Sequence, residues 1–315
     1  MTTAAPPRAP AASMSAATWG FLMLLGLIWG GSFFFARIAV QHVPPMTLVL
    51  VRVSLAALAL HLIFFRLPDF YRTLAANWRQ LLVLGLINNA IPFTLIFLGQ
   101  TRIGAGLASI LNATTPLWTV IVAQMLTTDE KISAAKLIGC ALGLAGMVLL
   151  IGPAALGIAD SPLWAKLAVV GAAISYGFAA SFGKRFKGVS PRVTATGQLT
   201  ASSLIMLPLA LAVDQPWTLP VPPVDVIAAI LALALVSTAF AYVLYFRILS
   251  QAGATSASLV TLLVPPSAIL LGILFLGETL SFTEAMGLVL IALGLMSLDN
   301  RLGWKGRSKG APPAP

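Results

Sequence analysis

The sequence predicts an all-α integral membrane protein of ten transmembrane helices, arranged as two inverted five-helix repeats with both termini cytoplasmic. Three observations carry that prediction. Hydrophobic residues make up 59% of the 315 positions and charged residues only 9%, against roughly 45–50% and about 25% in soluble globular chains. Apolar runs near the ~20 residues needed to cross a bilayer recur along almost the whole chain. Finally, the second half of the chain repeats the first.

Residues 1–17, MTTAAPPRAPAASMSAA, form an Ala/Pro-rich tail that reads as disordered. The apolar run after it is longer than a signal-peptide core and is expected to stay as the first helix. Runs at 18–39, 45–65, 80–99, 104–126 and 135–152 make up a first unit, residues 18–152. Runs at 162–183, 194–213, 226–248, 256–276 and 281–298 make up a second, residues 162–298. The fifth and tenth runs are short. Residues 299–315 carry Arg301, Lys305, Arg307 and Lys309 and end Pro-rich, a basic disordered tail.

Short connections force sequential spans to run antiparallel, so loops alternate between the two sides. One set of loops holds Arg8, then Arg66, Arg72 and Arg79, then Lys131 and Lys136, then Lys184, Arg185, Lys187 and Arg192, then Arg247 and the basic tail. The other holds Arg37, Arg102 and Lys166, with Asp160, Asp214, Asp225, Glu278 and Glu284. Lys and Arg decide orientation, which places the first set and both termini in the cytoplasm. The net charge of +10 therefore reads as membrane orientation and not as a nucleic-acid footprint.

The repeat has an offset of about 147 to 149 residues. WGGSFFFAR from Trp29 lies over YGFAASFGK from Tyr176, aligning Gly30 with Gly177, and Pro44 meets Pro191. GAGLASILNATTP, Gly104 to Pro116, lies over GATSASLVTLLVP, Gly253 to Pro265. Glu130 then meets Glu278, Gly139 meets Gly287 and Gly146 meets Gly294. An odd number of spans per unit makes the second copy enter the membrane from the opposite side.

At these residues the chain resembles EamA-type members of the drug/metabolite transporter superfamily over residues 18–298. The resemblance rests on Trp29 with Gly30, Pro44 or Pro45 with Arg52, Gly104 to Ser109, and Gly277 with Glu278. It implies an exporter of a small metabolite, amino acid, nucleoside or drug-like compound in the cytoplasmic membrane, working by alternating access. One departure is Asp129, which stands where the second repeat has Gly277.

Inverted-repeat carriers bind at mid-membrane, between the halves, where helices are broken. A proline leaves the carbonyl four residues earlier without its helical partner. Pro116 is expected to free that of Asn112, Pro265 that of Thr261, and Pro92 that of Asn88 beside Asn89. All three fall on polar segments, which nominates Asn89, Asn112 and Thr261 as cavity lining; the competing reading is that side chains re-satisfy the freed groups. Asn89 and Phe93 match Thr238 and Tyr242 in the repeat, each pair one turn apart on one face. Trp29 and its counterpart Tyr176 lie too deep for an interfacial aromatic belt.

Arg52 is the one basic residue deep inside a span and costs roughly 2.5–3.5 kcal/mol to insert. It must snorkel outward, pair with carbonyls or face the water-filled cavity, and the two readings are structural pairing and an anionic substrate group. His61 reads as interfacial and Cys140 as packing. Gly26 with Gly30 and Gly139 with Gly143 keep the four-residue spacing of close helix crossings, inside one chain or in a homodimer. Glu130 and Glu278 occupy turns before short helices, where capping explains them.

No metal cluster, cofactor motif or catalytic constellation appears: His42 and His61 lie near membrane ends, the chain has one cysteine, and all nine acids map to loops or helix ends. An intramembrane enzyme is excluded on that ground, and carboxylate-mediated proton coupling is disfavoured. The rival to a carrier is a membrane receptor or scaffold that binds its ligand without moving it.

Overall fold

A computed structural model describes residues 16–126, 138–139, 141–146, 148–149, 161–186, 188–245, 247–248 and 260–298. Every regular element among them is helical: α1 (Ala16–Ala39), α2 (Pro45–Phe64), α3 (Phe70–Ala76), α4 (Trp78–Gly85), α5 (Ile91–Gln100), α6 (Ala105–Asn112), α7 (Thr115–Leu126), α8 (Leu163–Gly183), α9 (Pro191–Val213), α10 (Val224–Leu231), α11 (Val260–Leu276) and α12 (Phe282–Leu298), with short π- and 3₁₀-helical pieces. Several join into longer rods. Seven helices are long and apolar enough to cross a bilayer: Ala16–Ala39, Pro45–Phe64, Trp78–Gln100, Ala105–Met125, Leu163–Phe186, Pro191–Val213 and Val224–Tyr245. Two shorter apolar helices, Leu263–Leu276 and Phe282–Gly294, follow. The expected fifth span is helical at its described positions, and Asp129, Glu130, Cys140 and both tails lie outside the described residues.

The helices are apolar on every side, as a bilayer demands. Leu58, Leu62, Leu204, Leu274 and Phe275 are exposed, while small residues such as Ala56, Ala172, Ala195 and Ala268 fill the interior. Polar residues turn back on their own backbone: in α9, Thr196, Thr200, Ser202 and Ser203 each donate to the carbonyl four residues earlier. Prolines at the first helical turn start α2 and α9, where the missing N–H has no partner to lose.

Close crossings occur in matched pairs. A Cβ on Gly30 would meet the Ser267 Cβ at 2.5 Å and the Ala268 nitrogen at 2.8 Å, and one on Gly177 would meet the Trp118 carbonyl carbon at 2.9 Å and the Thr119 nitrogen at 3.1 Å. Adding the sequence offset to one pair gives the other with the partners exchanged. The same holds for Gly146 on the Gly287 carbonyl (2.9 Å) and Gly294 on the Gly139 carbonyl (2.8 Å). Gly26 and Gly30 are both covered by α11, so the two glycine pairs serve contacts within the chain.

Two local expectations change. The segment between the second and third spans is not all loop, because Phe70–Ala76 forms a helix whose Phe70 is buried while Tyr71 is exposed. Glu278 does not cap the helix that follows it. Ser281 and Glu284 do that in a reciprocal capping box, with Ser281 N–H on Glu284 Oε2 (2.8 Å) and Glu284 N–H on Ser281 Oγ (3.2 Å). Glu278 is turned by Gly277, at φ +65°, onto the first turn of α6, where it accepts from Ala105 N–H (2.7 Å) and Gly106 N–H (3.0 Å). Glycines at 104 and 272 leave its socket open: a Cβ there would lie 2.7 Å and 2.4 Å from the carboxylate. Asp214 likewise accepts from Thr47 N–H at the start of α2 (2.7 Å). Each carboxylate satisfies orphan amides of a helix from the other half of the chain.

Candidate functional site

The spans Trp78–Gln100 and Val224–Tyr245 both depart from α-helical geometry, at repeat-related positions. Leu86–Ala90 is π-helical between α4 and α5, and Ala232–Phe240 is π-helical beyond α10; the repeat offset carries the first segment into the second. Such bulges are rare and concentrate at functional sites. Pro92 follows the first bulge, but the second contains no proline. Its wide turn is fastened by Thr238, whose hydroxyl donates to the carbonyl of Leu233, five residues back (2.8 Å).

That same hydroxyl accepts from Arg52. The guanidinium is buried, with 6% of its residue exposed; its Nε donates to Thr238 Oγ1 (3.0 Å) and its Nη2 to Ser32 Oγ (3.2 Å). It lies over the Phe93 ring, 3.8 Å from the centroid, with Phe97 at 5.6 Å. Tyr176 and Tyr242 are within electrostatic range of it. Among the described residues no carboxylate reaches Arg52: Asp69 faces Arg72, Asp214 and Glu278 cap helices, Glu284 is in its capping box, and Asp225 sits in the first turn of α10. Two hydrogen bonds from a charged donor, each worth roughly 1.5–3 kcal/mol, and a desolvated cation–π contact of about 2 kcal/mol offset the insertion cost. They do not neutralise the charge.

Asn89 is fully buried on the π turn. Its Oδ1 receives the Tyr242 hydroxyl at 3.4 Å, and its Nδ2 has no acceptor among the described residues. Its neighbour Asn88 donates to Gln198 Oε1 (2.8 Å), tying this span to α9. The Trp29 ring lies 5.6 Å from that of Tyr245, three residues beyond Tyr242.

The structure thus gathers Arg52, Asn89, Phe93, Thr238 and Tyr242, with Tyr176 close by. Asn112 stands apart. The carbonyl that Pro116 frees is taken by the Thr115 hydroxyl (2.7 Å), so the backbone there is satisfied and offers nothing to a ligand. The Asn112 side chain keeps a buried Oδ1 without a partner. Thr261 lies on α11, one turn before Pro265, but the break expected there is absent, since α11 runs as one α-helix through Pro265 and Pro266; the Thr261 side chain is outside the described ones. Ser32, Gln198 and Tyr245 were not anticipated. Ser32 follows Trp29 by three residues and Tyr245 follows Tyr242 by three, so helical spacing from named residues was the available signal.

A separate cavity of about 860 Å³ opens among helix ends, lined by Arg37, His42, Arg102, Lys166, Glu278 and Glu284 with apolar neighbours. None of the sequence-nominated residues lines it. Arg37 is held at its edge by a hydrogen bond from Nη1 to the carbonyl of Gln100, whose own side chain donates to the Phe33 carbonyl (2.8 Å).

Comparison with known proteins adds an independent finding. The profile of the EamA-like transporter family matches twice, over residues 17–152 and 163–298. The uncharacterized inner membrane transporter YedA of Escherichia coli K12 is 30% identical, covering 90% of this chain and 92% of its own. The uncharacterized transporter YoaV of Bacillus subtilis is 25% identical over 85% of this chain and 92% of its own. A probable amino-acid metabolite efflux pump of Salmonella typhimurium is 29% identical, over 88% and 93%. A crystal structure at 19% identity matches with a TM-score of 0.63, covering 92% of this chain and all of the other, and shares the fold.

Proposed function

Because the chain belongs to the EamA-like transporter family and is a multi-pass membrane transporter, we propose that it is a secondary carrier exporting a small metabolite across the cytoplasmic membrane. Its ten spans form two inverted five-helix units, residues 18–152 and 162–298, with both termini cytoplasmic. The units rock about a site lined by Trp29, Arg52, Asn89, Phe93, Tyr176, Thr238 and Tyr242, with Asn112 at the break in the fourth span and Thr261 on the ninth, whose helix runs on through Pro265 and Pro266. The names of the relatives, an amino-acid metabolite efflux pump among them, support export of amino acids or compounds of similar size.

The observation that carries this reading is the Arg52–Thr238 hydrogen bond. It joins the second span to the eighth, across the two halves, at the π-helical segment of the second half. A purely structural core places apolar residues there and avoids the cost of an intramembrane cation. The exchanged glycine crossings support a two-fold relation between the halves, the geometry that lets one unit rock against the other. Glu278 and Asp214, both on the expected outer side, hold helix ends of the first unit to the second and must release if the outer mouth widens.

Release of labelled amino acids and nucleosides from preloaded proteoliposomes tests the proposal. Saturable release, reduced at least tenfold in Asn89→Ala and Trp29→Ala at unchanged folding, is the expected result. Release untouched by both variants would place the path elsewhere.

A further inference from the structure

Resting on the carrier reading above, we infer that the substrate carries a carboxylate, which docks between Arg52 and Asn89 against the Tyr242 hydroxyl. What the cluster lacks is one-sided. Arg52 has five N–H donors, and its Nε and Nη2 reach only neutral hydroxyls; Nη1 has no acceptor among the described residues. Asn89 Nδ2 is a second donor without an acceptor, at a fully buried position. The two are neighbours through Tyr242, which lies in electrostatic range of Arg52 and donates to Asn89 Oδ1, and through Phe93, one helical turn beyond Asn89 and directly under the guanidinium.

Two donors, one of them cationic, call for a ligand that only accepts and is negative. A carboxylate offers two such oxygens and no donor. A carboxamide of the same shape brings an N–H₂ against donors, and an amine brings a second cation. The surrounding rings, Phe93 and Phe97 against the guanidinium and Tyr176 in its electrostatic range, suit an apolar or aromatic body on that carboxylate. The charge balance agrees: with no described acid reaching Arg52, the ligand supplies the counter-charge that the protein withholds from it.

The test is binding by the purified full-length protein in nanodiscs, read by thermal shift and tryptophan fluorescence. The probes are benzoate, phenylacetate, 3-phenylpropionate, indole-3-acetate and L-phenylalanine, each against its own carboxamide. At least one carboxylate should bind tenfold or more tightly than its amide, and Arg52→Gln should erase that preference. Because Arg52→Gln risks misfolding, Asn89→Asp is the decisive variant. It places a carboxylate beside Arg52 within the chain, so the protein should melt higher while carboxylate binding falls at least tenfold. Carboxamides that bind as well as the acids, no binding by any acid, or an Asn89→Asp protein that keeps full carboxylate affinity would each overturn the inference. Binding with the predicted preference but no flux of the same probe in proteoliposomes would leave the inference standing and overturn the carrier reading instead.

Discussion

Buried polar atoms in folded chains nearly always have partners, so those that lack one point to what is missing. Asn89 Nδ2 and Asn112 Oδ1 are two such atoms, and both sit where sequence alone nominated a site. For Asn112 the nomination had the wrong reason. Its backbone carbonyl, freed by Pro116, is claimed by Thr115, while the side chain is what remains unsatisfied. Removing a buried atom that makes no bond costs little, so Asn112→Ala is expected to melt within about a degree of the parent while transport falls at least fivefold. Thermal melting beside proteoliposome flux checks both halves. An equal loss of stability and flux would assign Asn112 to packing.

At the scale of elements, the sequence announces helix breaks only where proline marks them. Pro92 and Pro116 do so, and both breaks are present, as a π turn before α5 and as the gap between α6 and α7, whereas α11 continues through Pro265 without one. The π segment at Ala232–Phe240 carries no proline; it was reachable only through the repeat, which aligns it with Leu86–Ala90. Glu278 shows the opposite limit. Its position before a helix reads as a local cap, because sequence places a carboxylate near the next amides and says nothing of amides 172 residues away. Glu278→Gln keeps the shape and removes the charge from a two-amide cap, so a loss of about 1–2 kcal/mol is expected, seen as a Tm fall of several degrees. Gly104→Ala should fall further, since its methyl enters the socket. If Glu278→Gln melts unchanged, the cap between the halves carries no stability.

The whole molecule was the most legible, for reasons of solvent. A bilayer excludes unpaired backbone, so composition and run length alone dictate helices, and seven long apolar helices with two shorter ones stand where the runs are. The repeat, found by matching residues, reappears as exchanged glycine contacts that no single crossing would require. Orientation rests on Lys and Arg placement and makes a clear prediction. In a Cys140→Ser background, Arg102→Cys in intact cells should react with a membrane-impermeant maleimide, and Arg185→Cys should react only after permeabilisation. Labelling of both positions from outside would contradict the ten-span topology.

The central claim is that this chain moves a ligand by exposing one buried site alternately to either side. Counterflow tests it most directly. Proteoliposomes loaded with an unlabelled ligand identified by binding are diluted into a trace of the same compound in labelled form. A carrier must show transient accumulation above equilibrium that vanishes without internal ligand and drops at least tenfold in Arg52→Gln. Binding without accumulation would make the protein a receptor or scaffold, and the account of a rocking two-fold carrier would be wrong.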